Sequence, residues 1–171
     1  SKDPKEVLMA ARRLRTRDPH QARALVERVL GWDDRRDPET LFATTHDLDE
    51  LLRSTGRKAE RVELWRRTMA DIPDEALRRR LKVYLYFCEA LCDAGLMSEA
   101  REWMQPGPDR SRNALLYQRM GLREKAWEEC SKAPWLSKSR PGPGYAGAIL
   151  LLQGASPEER RTILSEIIRR A

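Results

Sequence analysis

The sequence predicts an all-α fold, an α-solenoid of antiparallel helix pairs that ends in a C-terminal capping helix pair. Three observations carry this. Apolar residues recur at helical spacing, as in Leu77, Leu81, Tyr84, Cys88 and Leu91, where the steps alternate between four and three residues. Strand-favouring residues never alternate with polar ones over a useful length. Glycines 56, 95 and 121 fall between apolar stripes, and glycine tolerates the left-handed backbone that ends one helix before the next begins.

In chain order, about ten helices are expected, at roughly 4–16, 19–30, 38–54, 57–70, 74–93, 97–104, 110–120, 122–132, 144–153 and 157–170. The joints Arg17-Asp18, Thr55-Gly56, Ala94-Gly95 and Gly121 are so short that the helices they connect must pack antiparallel. The second helices of these pairs open alike. Ala22, Ala100 and Ala126 stand one turn before Val26, Met104 and Cys130. A small residue lets the second helix approach the first, and the larger one fills the groove between pairs. Arg61, one turn before Trp65, breaks this rule, so either its helix is rotated or its head reaches water. The segment 74–93 reads as one continuous helix. Leu122, Ala126, Cys130 and Ala133 make the stripe of 122–132.

The last part of the chain departs from the repeat. Arg140-Pro141-Gly142-Pro143-Gly144 reads as a flexible linker. Gly144 to Gly154 is apolar nearly all round and is expected to be buried, covered by the final helix with Ile163, Leu164, Ile167 and Ile168. Before that helix, Ser156 suits the cap, Pro157 the first turn, and Glu159 can reach back to the cap. Residues 1–134 are therefore expected to form about four degenerate helical-hairpin repeats, with 135–171 a linker and helical cap of the same domain.

Composition narrows the setting. Of 171 residues, 35% are charged and 40% hydrophobic, which suits helices that each show one face to water. The net charge of +6 mixes 33 basic with 27 acidic residues, a balance that permits nucleic acid without requiring it. Three cysteines are too few for a disulfide framework, so a reducing, cytoplasmic compartment is expected. The longest apolar run, Ile149 to Leu152 behind Ala146 to Ala148, is far short of a membrane span, and no membrane partner is expected. A first residue that is Ser and not Met, with no signal pattern after it, suggests a part of a larger protein or complex.

Tyr84, Phe87, Cys88, Leu91, Gly95, Ala100 and Met104 follow the order aromatic, large, small, large, glycine, small, large. In this the chain resembles the tetratricopeptide-repeat superfamily over roughly residues 4–134. Gly56 to Pro73 and Gly121 to Pro134 are partial further units. The resemblance implies a solenoid whose first helices line a concave surface that holds peptide segments. On that surface it places His46, Glu50, Arg53, Leu85, Glu89, Leu115 and Arg119, with Ser111 and Gln118 beside the last two. Members that grip a C-terminal carboxylate use Lys, Asn and Arg there. That pattern is missing, and Glu50 and Glu89 would repel a carboxylate. Tyr84 to Met104 also resembles a pentatricopeptide repeat, which reads a base with a polar residue after the aromatic. Leu85 stands there, with His46 and Ser111 as its equivalents, so no base-reading code is expected.

No catalytic constellation is visible, and no cofactor is expected. Cys88 and Cys92 lack nearby partners for a metal, since the only histidines are His20 and His46. Cys88 is read as a core residue. Of the tryptophans, Trp65, Trp103 and Trp127 are expected to pack between pairs. Trp32 lies outside that set, and Trp135, behind a proline, is the one expected to be exposed. Arg78, Arg79, Arg80 and Lys82 form the densest basic surface candidate. The expected function is a non-catalytic scaffold binding a protein or peptide along the concave face, with self-association open. The alternative is an RNA-binding helical-repeat module using the arginine-rich surfaces.

Overall fold

Aspartate side chains cap five of the helices. Asp3, Asp18 and Asp37 accept hydrogen bonds from the backbone N–H of Lys5, Gln21 and Thr40, each at 2.9 Å, and each is followed by a proline in the first helical position. Asp74 and Asp109 cap two more. An N–H that the helix itself cannot satisfy finds a partner, and the proline ring presets the backbone. The computed structural model describes residues 3–31, 37–105, 109–137 and 140–170. Among these the fold is all-α, with eleven helices and one two-residue antiparallel ladder. The chain divides into two compact units, Ser1–Gly95 and Leu96–Ala171.

The first unit holds α1 (Pro4–Leu14), α2 (Pro19–Leu30), α3 (Pro38–Ser54), α4 (Lys58–Asp71), α5 (Glu75–Arg80) and α6 (Val83–Asp93). Helix α1 packs on α2, α2 on α3, α3 on α4 and α5 on α6, α1 also touches α3, and α4 packs on α6. Leu8, Ala11, Ala22, Val26, Leu48 and Leu52 fill the space between α1, α2 and α3. Each buried Val or Leu contributes about 1.5–3 kcal/mol. At the end of α3, Gly56 adopts φ 70°, its N–H bonds the Arg53 carbonyl at 3.1 Å, and the Arg57 N–H bonds Leu52 at 2.9 Å. This closure satisfies the last carbonyls and sends the chain back as α4.

Two expectations are corrected here. The segment 74–93 is not one helix: it breaks after Arg80, and Lys82 takes a left-handed φ of 62° before α6 starts. That conformation costs a non-glycine residue about 1–2 kcal/mol. Burial of Val83, Phe87, Cys88 and Leu91, each at most 1% exposed, offsets it.

Arg61 neither rotates its helix nor reaches water. It is 2% exposed, and Trp65 one turn on is 0% exposed. Its Nε donates to Asp49 Oδ1 at 2.7 Å, Nη2 donates to Asp49 Oδ2 at 3.3 Å, and Nη1 donates to Asp93. Burial alone would lower the guanidinium pKa, but the hydrogen bonds to Asp49 and Asp93 outweigh it and hold the value above the ordinary one. One cation thus joins α4 to α3 and to the last residue of α6. A buried hydroxyl pair, Thr45 to Thr68 at 2.9 Å, adds a second polar tie between α3 and α4.

The second unit holds α7 (Met97–Trp103), α8 (Arg110–Arg119), α9 (Arg123–Lys132), β1 (Leu136–Ser137), β2 (Arg140–Pro141), α10 (Pro143–Leu152) and α11 (Pro157–Arg170). Gly121 (φ 75°) turns α8 into α9 with the same pair of bonds as Gly56: its N–H to Gln118 and that of Leu122 to Tyr117. Helix α10 packs on α8 and α9, and α11 packs on α10. Ala22, Ala100 and Ala126, the small residues at the starts of α2, α7 and α9, are all 0% exposed.

Arg140 to Gly144 is not a loose linker. Its first two residues pair with Leu136 and Ser137 in the β-ladder. The Gly142 N–H bonds the Trp135 carbonyl at 2.7 Å, and the Gly144 N–H bonds Pro134 at 2.9 Å. The reason is close contact between α10 and the end of α9. A Cβ on Gly147 would lie 2.4 Å from Cys130 Sγ, and one on Gly144 would lie 2.8 Å from the Cys130 carbonyl.

Trp135 is buried as well, at 8% exposure, contrary to expectation. Arg170 covers its ring at 4.9 Å and donates to the Ser131 carbonyl at 3.0 Å, while Trp127 meets it edge-on. Trp103, expected to pack, is 38% exposed. Trp32 lies outside the described residues.

The start of α11 forms the expected reciprocal cap. The Ser156 N–H donates to Glu159 at 2.8 Å and the Glu159 N–H to Ser156 Oγ at 3.2 Å. Those contacts, with Arg123, hold the Glu159 carboxyl below its ordinary pKa.

Gly147→Ala should therefore destabilise the second unit by about 1–3 kcal/mol through overpacking. Gly147→Ala combined with Cys130→Ala should cost less than the sum of the two single changes, read from urea denaturation midpoints. A Gly147→Ala protein that unfolds at the wild-type midpoint would contradict the contact between α10 and Cys130.

Candidate functional site

On α3, residues 42, 46, 50 and 53 fall on one stripe, because turns of about 100° per residue bring steps of four, four and three back to the same side. Asp49, pinned inward by Arg61, sets which way that stripe points. The upper half is aromatic. Phe42 and His46 are half-buried and lie 6.2 Å apart, ring centre to ring centre. Tyr86 of α6 closes the group, edge-on to His46 at 4.8 Å and tilted to Phe42 at 5.7 Å. Beneath them the buried Trp65 stacks on Tyr86 at 5.3 Å, with 11° between the planes. Such offset and edge contacts add to the area each ring buries.

The lower half is charged. Arg53 Nη2 donates to Glu89 of α6 at 3.1 Å, and the same guanidinium lies 3.6 Å from Glu50 and 3.8 Å from Asp49. Arg15, just after α1, reaches Glu50 at 3.6 Å, and Arg12 of α1 spans both oxygens of Asp47 at 2.9 Å. These ion pairs link α1, α3 and α6 across one side of the unit. The pairs in which both partners are partly exposed, Arg15 with Glu50 and Arg53 with Glu50, contribute at most about 1 kcal/mol each, so they orient the face more than they stabilise it.

Of the seven residues expected on a partner-binding face, His46, Glu50, Arg53 and Glu89 are brought together in the first unit. Leu85 is not available there: it is 6% exposed and belongs to the core. Because α6 is apolar on nearly every side, it is packed round most of its circumference. Leu115 and Arg119 lie on α8 in the second unit, where Leu115 is 40% exposed and Arg119 is exposed as well. Phe42 and Tyr86 were missed. Extending the stripe one turn back from His46 would have found Phe42, and stepping three residues back from Glu89 would have found Tyr86.

The residues of the basic run have separate local partners. Arg78 donates to the Pro73 carbonyl at 2.9 Å and to the Tyr84 hydroxyl at 3.3 Å. Arg79 pairs with Glu75 at 2.6 Å and Arg80 with Glu39 at 2.7 Å. Lys82 occupies the left-handed break between α5 and α6. Each residue of the run has a different local role, which a count of charges along the sequence does not reveal.

Among the described residues, no group of three or more His, Cys, Asp and Glu side chains is placed to hold a metal ion, and no helix is long and apolar enough to cross a membrane. Cys88, Cys92 and Cys130 are buried, and none of them is in a disulfide. Burial pushes the Cys88 thiol up to about 12 and the Cys130 thiol up to about 11. No family model matches the chain, and no curated protein or solved structure matches it either.

A raised thiol pKa means the reactive thiolate is scarce at mildly alkaline pH, and burial also bars the reagent. The native protein should therefore label slowly with 5,5′-dithiobis(2-nitrobenzoate), and all three thiols should label rapidly in urea. Fast stoichiometric labelling without denaturant would contradict the buried positions of the cysteines.

Proposed function

We propose that this chain is a non-catalytic interaction module, an α-solenoid of the tetratricopeptide-like kind, that holds a protein or peptide segment against the α3–α6 face of its first unit. The observation that carries this reading is the pairing on one face of a half-buried aromatic group, Phe42, His46 and Tyr86, with the charged group Glu50, Arg53 and Glu89. A peptide can use both halves, laying an apolar side chain on the rings and its backbone or charges along the ion pairs. A polyanion would meet two carboxylates at that place. The engagement of Arg78, Arg79 and Arg80 by local acceptors weighs further against RNA. Three buried cysteines, none of them in a disulfide, suit a reducing, cytoplasmic setting.

The reading is tested by selecting peptides from a displayed random library on the purified chain. Enriched peptides should bind the wild type and lose at least tenfold in affinity, about 1.4 kcal/mol, on Glu50→Lys with Glu89→Lys, while the helical circular dichroism is kept. Tight binding of single-stranded RNA that falls steeply with salt, and improves with the double charge reversal, would establish the RNA reading in its place.

A further inference from the structure

The second unit carries a groove of its own, independent of the α3–α6 face. It has a volume of about 270 Å³ and lies between α9 and the start of α11. Trp127, Leu151 and Ile163 supply its apolar lining, and Thr162 adds one hydroxyl. Four charged residues complete it: Arg123, Glu124, Glu158 and Glu159.

These charges are not equally free. The Arg123 guanidinium is committed to the structure: Nη2 donates to the Leu151 carbonyl at 2.7 Å, Nη1 to that of Gln153 at 3.4 Å, and Nε to Glu159 at 3.1 Å. Glu159 is committed in turn, to Arg123 and to the Ser156 cap. Glu124 and Glu158 remain. Both are exposed, and neither carboxylate has an ion-pair or hydrogen-bond partner among the described residues. The groove therefore combines an apolar wall that includes an indole with two carboxylates that have no side-chain partner among the described residues and stand in the first turns of α9 and α11.

That combination suits a side chain with an apolar stem and a cationic head. We propose that the groove between α9 and α11 is a second docking site, one that takes a basic side chain, Arg or Lys, of a partner peptide. The stem lies against Leu151 and Ile163, and the head lies by the Trp127 ring and the Glu124 and Glu158 carboxylates. Aliphatic burial, cation–π attraction and charge pairing all act in the same direction. A neutral side chain would gain only the first, and an acidic one would meet like charge.

The test is a nuclear magnetic resonance titration of the ¹⁵N-labelled full chain, following the Trp127 indole N–H. The probes are four blocked tripeptides, acetyl-Ala-X-Ala-amide with X = Arg, Lys, Gln or Glu. Saturable shifts with the Arg and Lys probes only, weakened by added salt, are expected. Glu124→Gln with Glu158→Gln should weaken the Arg probe at least tenfold. Glu128→Gln, on the same helix but outside the groove, should leave it unchanged, as should Glu50→Lys with Glu89→Lys, which alters the first unit alone. Binding of the Gln probe as well as the Arg probe would mean that only the apolar wall binds and would overturn the proposal. So would preference for the Glu probe, or the absence of shifts with all four.

Discussion

Arg61 holds its guanidinium inside the first unit, between Asp49 and Asp93, and the placement of three helices depends on it. Taking a cation and a carboxylate out of water is costly, and apolar residues in their place would often be as stable. What an ion pair adds is direction. Arg61 sits where Ala22, Ala100 and Ala126 stand in their own helices, the slot that normally carries no functional group. Its long arm reaches one carboxylate on α3 and another at the end of α6. Rotating α3 by one residue would take Asp49 away from Arg61 and bring Leu48 or the longer Glu50 toward its place. Asp49 therefore fixes the roll of α3, and that roll puts Phe42, His46, Glu50 and Arg53 on one side.

The second unit reaches a comparable precision by steric means. Gly147 of α10 lies against Cys130 so closely that no side chain fits between them, and Gly144 lies against the Cys130 carbonyl. Two arginines then tie the ends together. Arg123 closes the end of α10 and the start of α11, and Arg170 closes the end of α11 over Trp135. In the groove, Arg123 spends its charge on backbone carbonyls and Glu159. Among the described residues, that leaves the Glu124 and Glu158 carboxylates without an ion-pair or hydrogen-bond partner.

Much of the helical framework was legible in the sequence. Gly56, Gly95 and Gly121 marked the turns because a positive φ suits glycine, and all three have it. Ser156 and Glu159 marked the start of α11 because their spacing permits reciprocal hydrogen bonds. The rest depended on partners distant in sequence. Asp49 and Asp93 lie 12 and 32 residues from Arg61, and no periodicity links them. The break at Lys82 leaves no mark in the sequence spacing of Leu77, Leu81, Tyr84, Cys88 and Leu91, which runs on through it in steps of four and three. Trp135 looked exposed because it follows a proline, yet Arg170, far along the chain, covers it. The candidate face was half legible: the resemblance to the repeat superfamily put His46, Glu50, Arg53 and Glu89 on one surface, but it put Leu85 there too, because a repeat pattern does not say how much of α6 is enclosed.

The central claim is that Arg61 and Asp49 form one buried polar unit. A double-mutant cycle tests it most directly, with Arg61→Met, Asp49→Leu and the two combined, each measured by equilibrium urea denaturation. Arg61→Met should cost about 3–5 kcal/mol, because it strands a buried carboxylate, and the double change should cost far less than the sum of the single ones. Small single effects that simply add would place the Arg61 head in water and contradict the account.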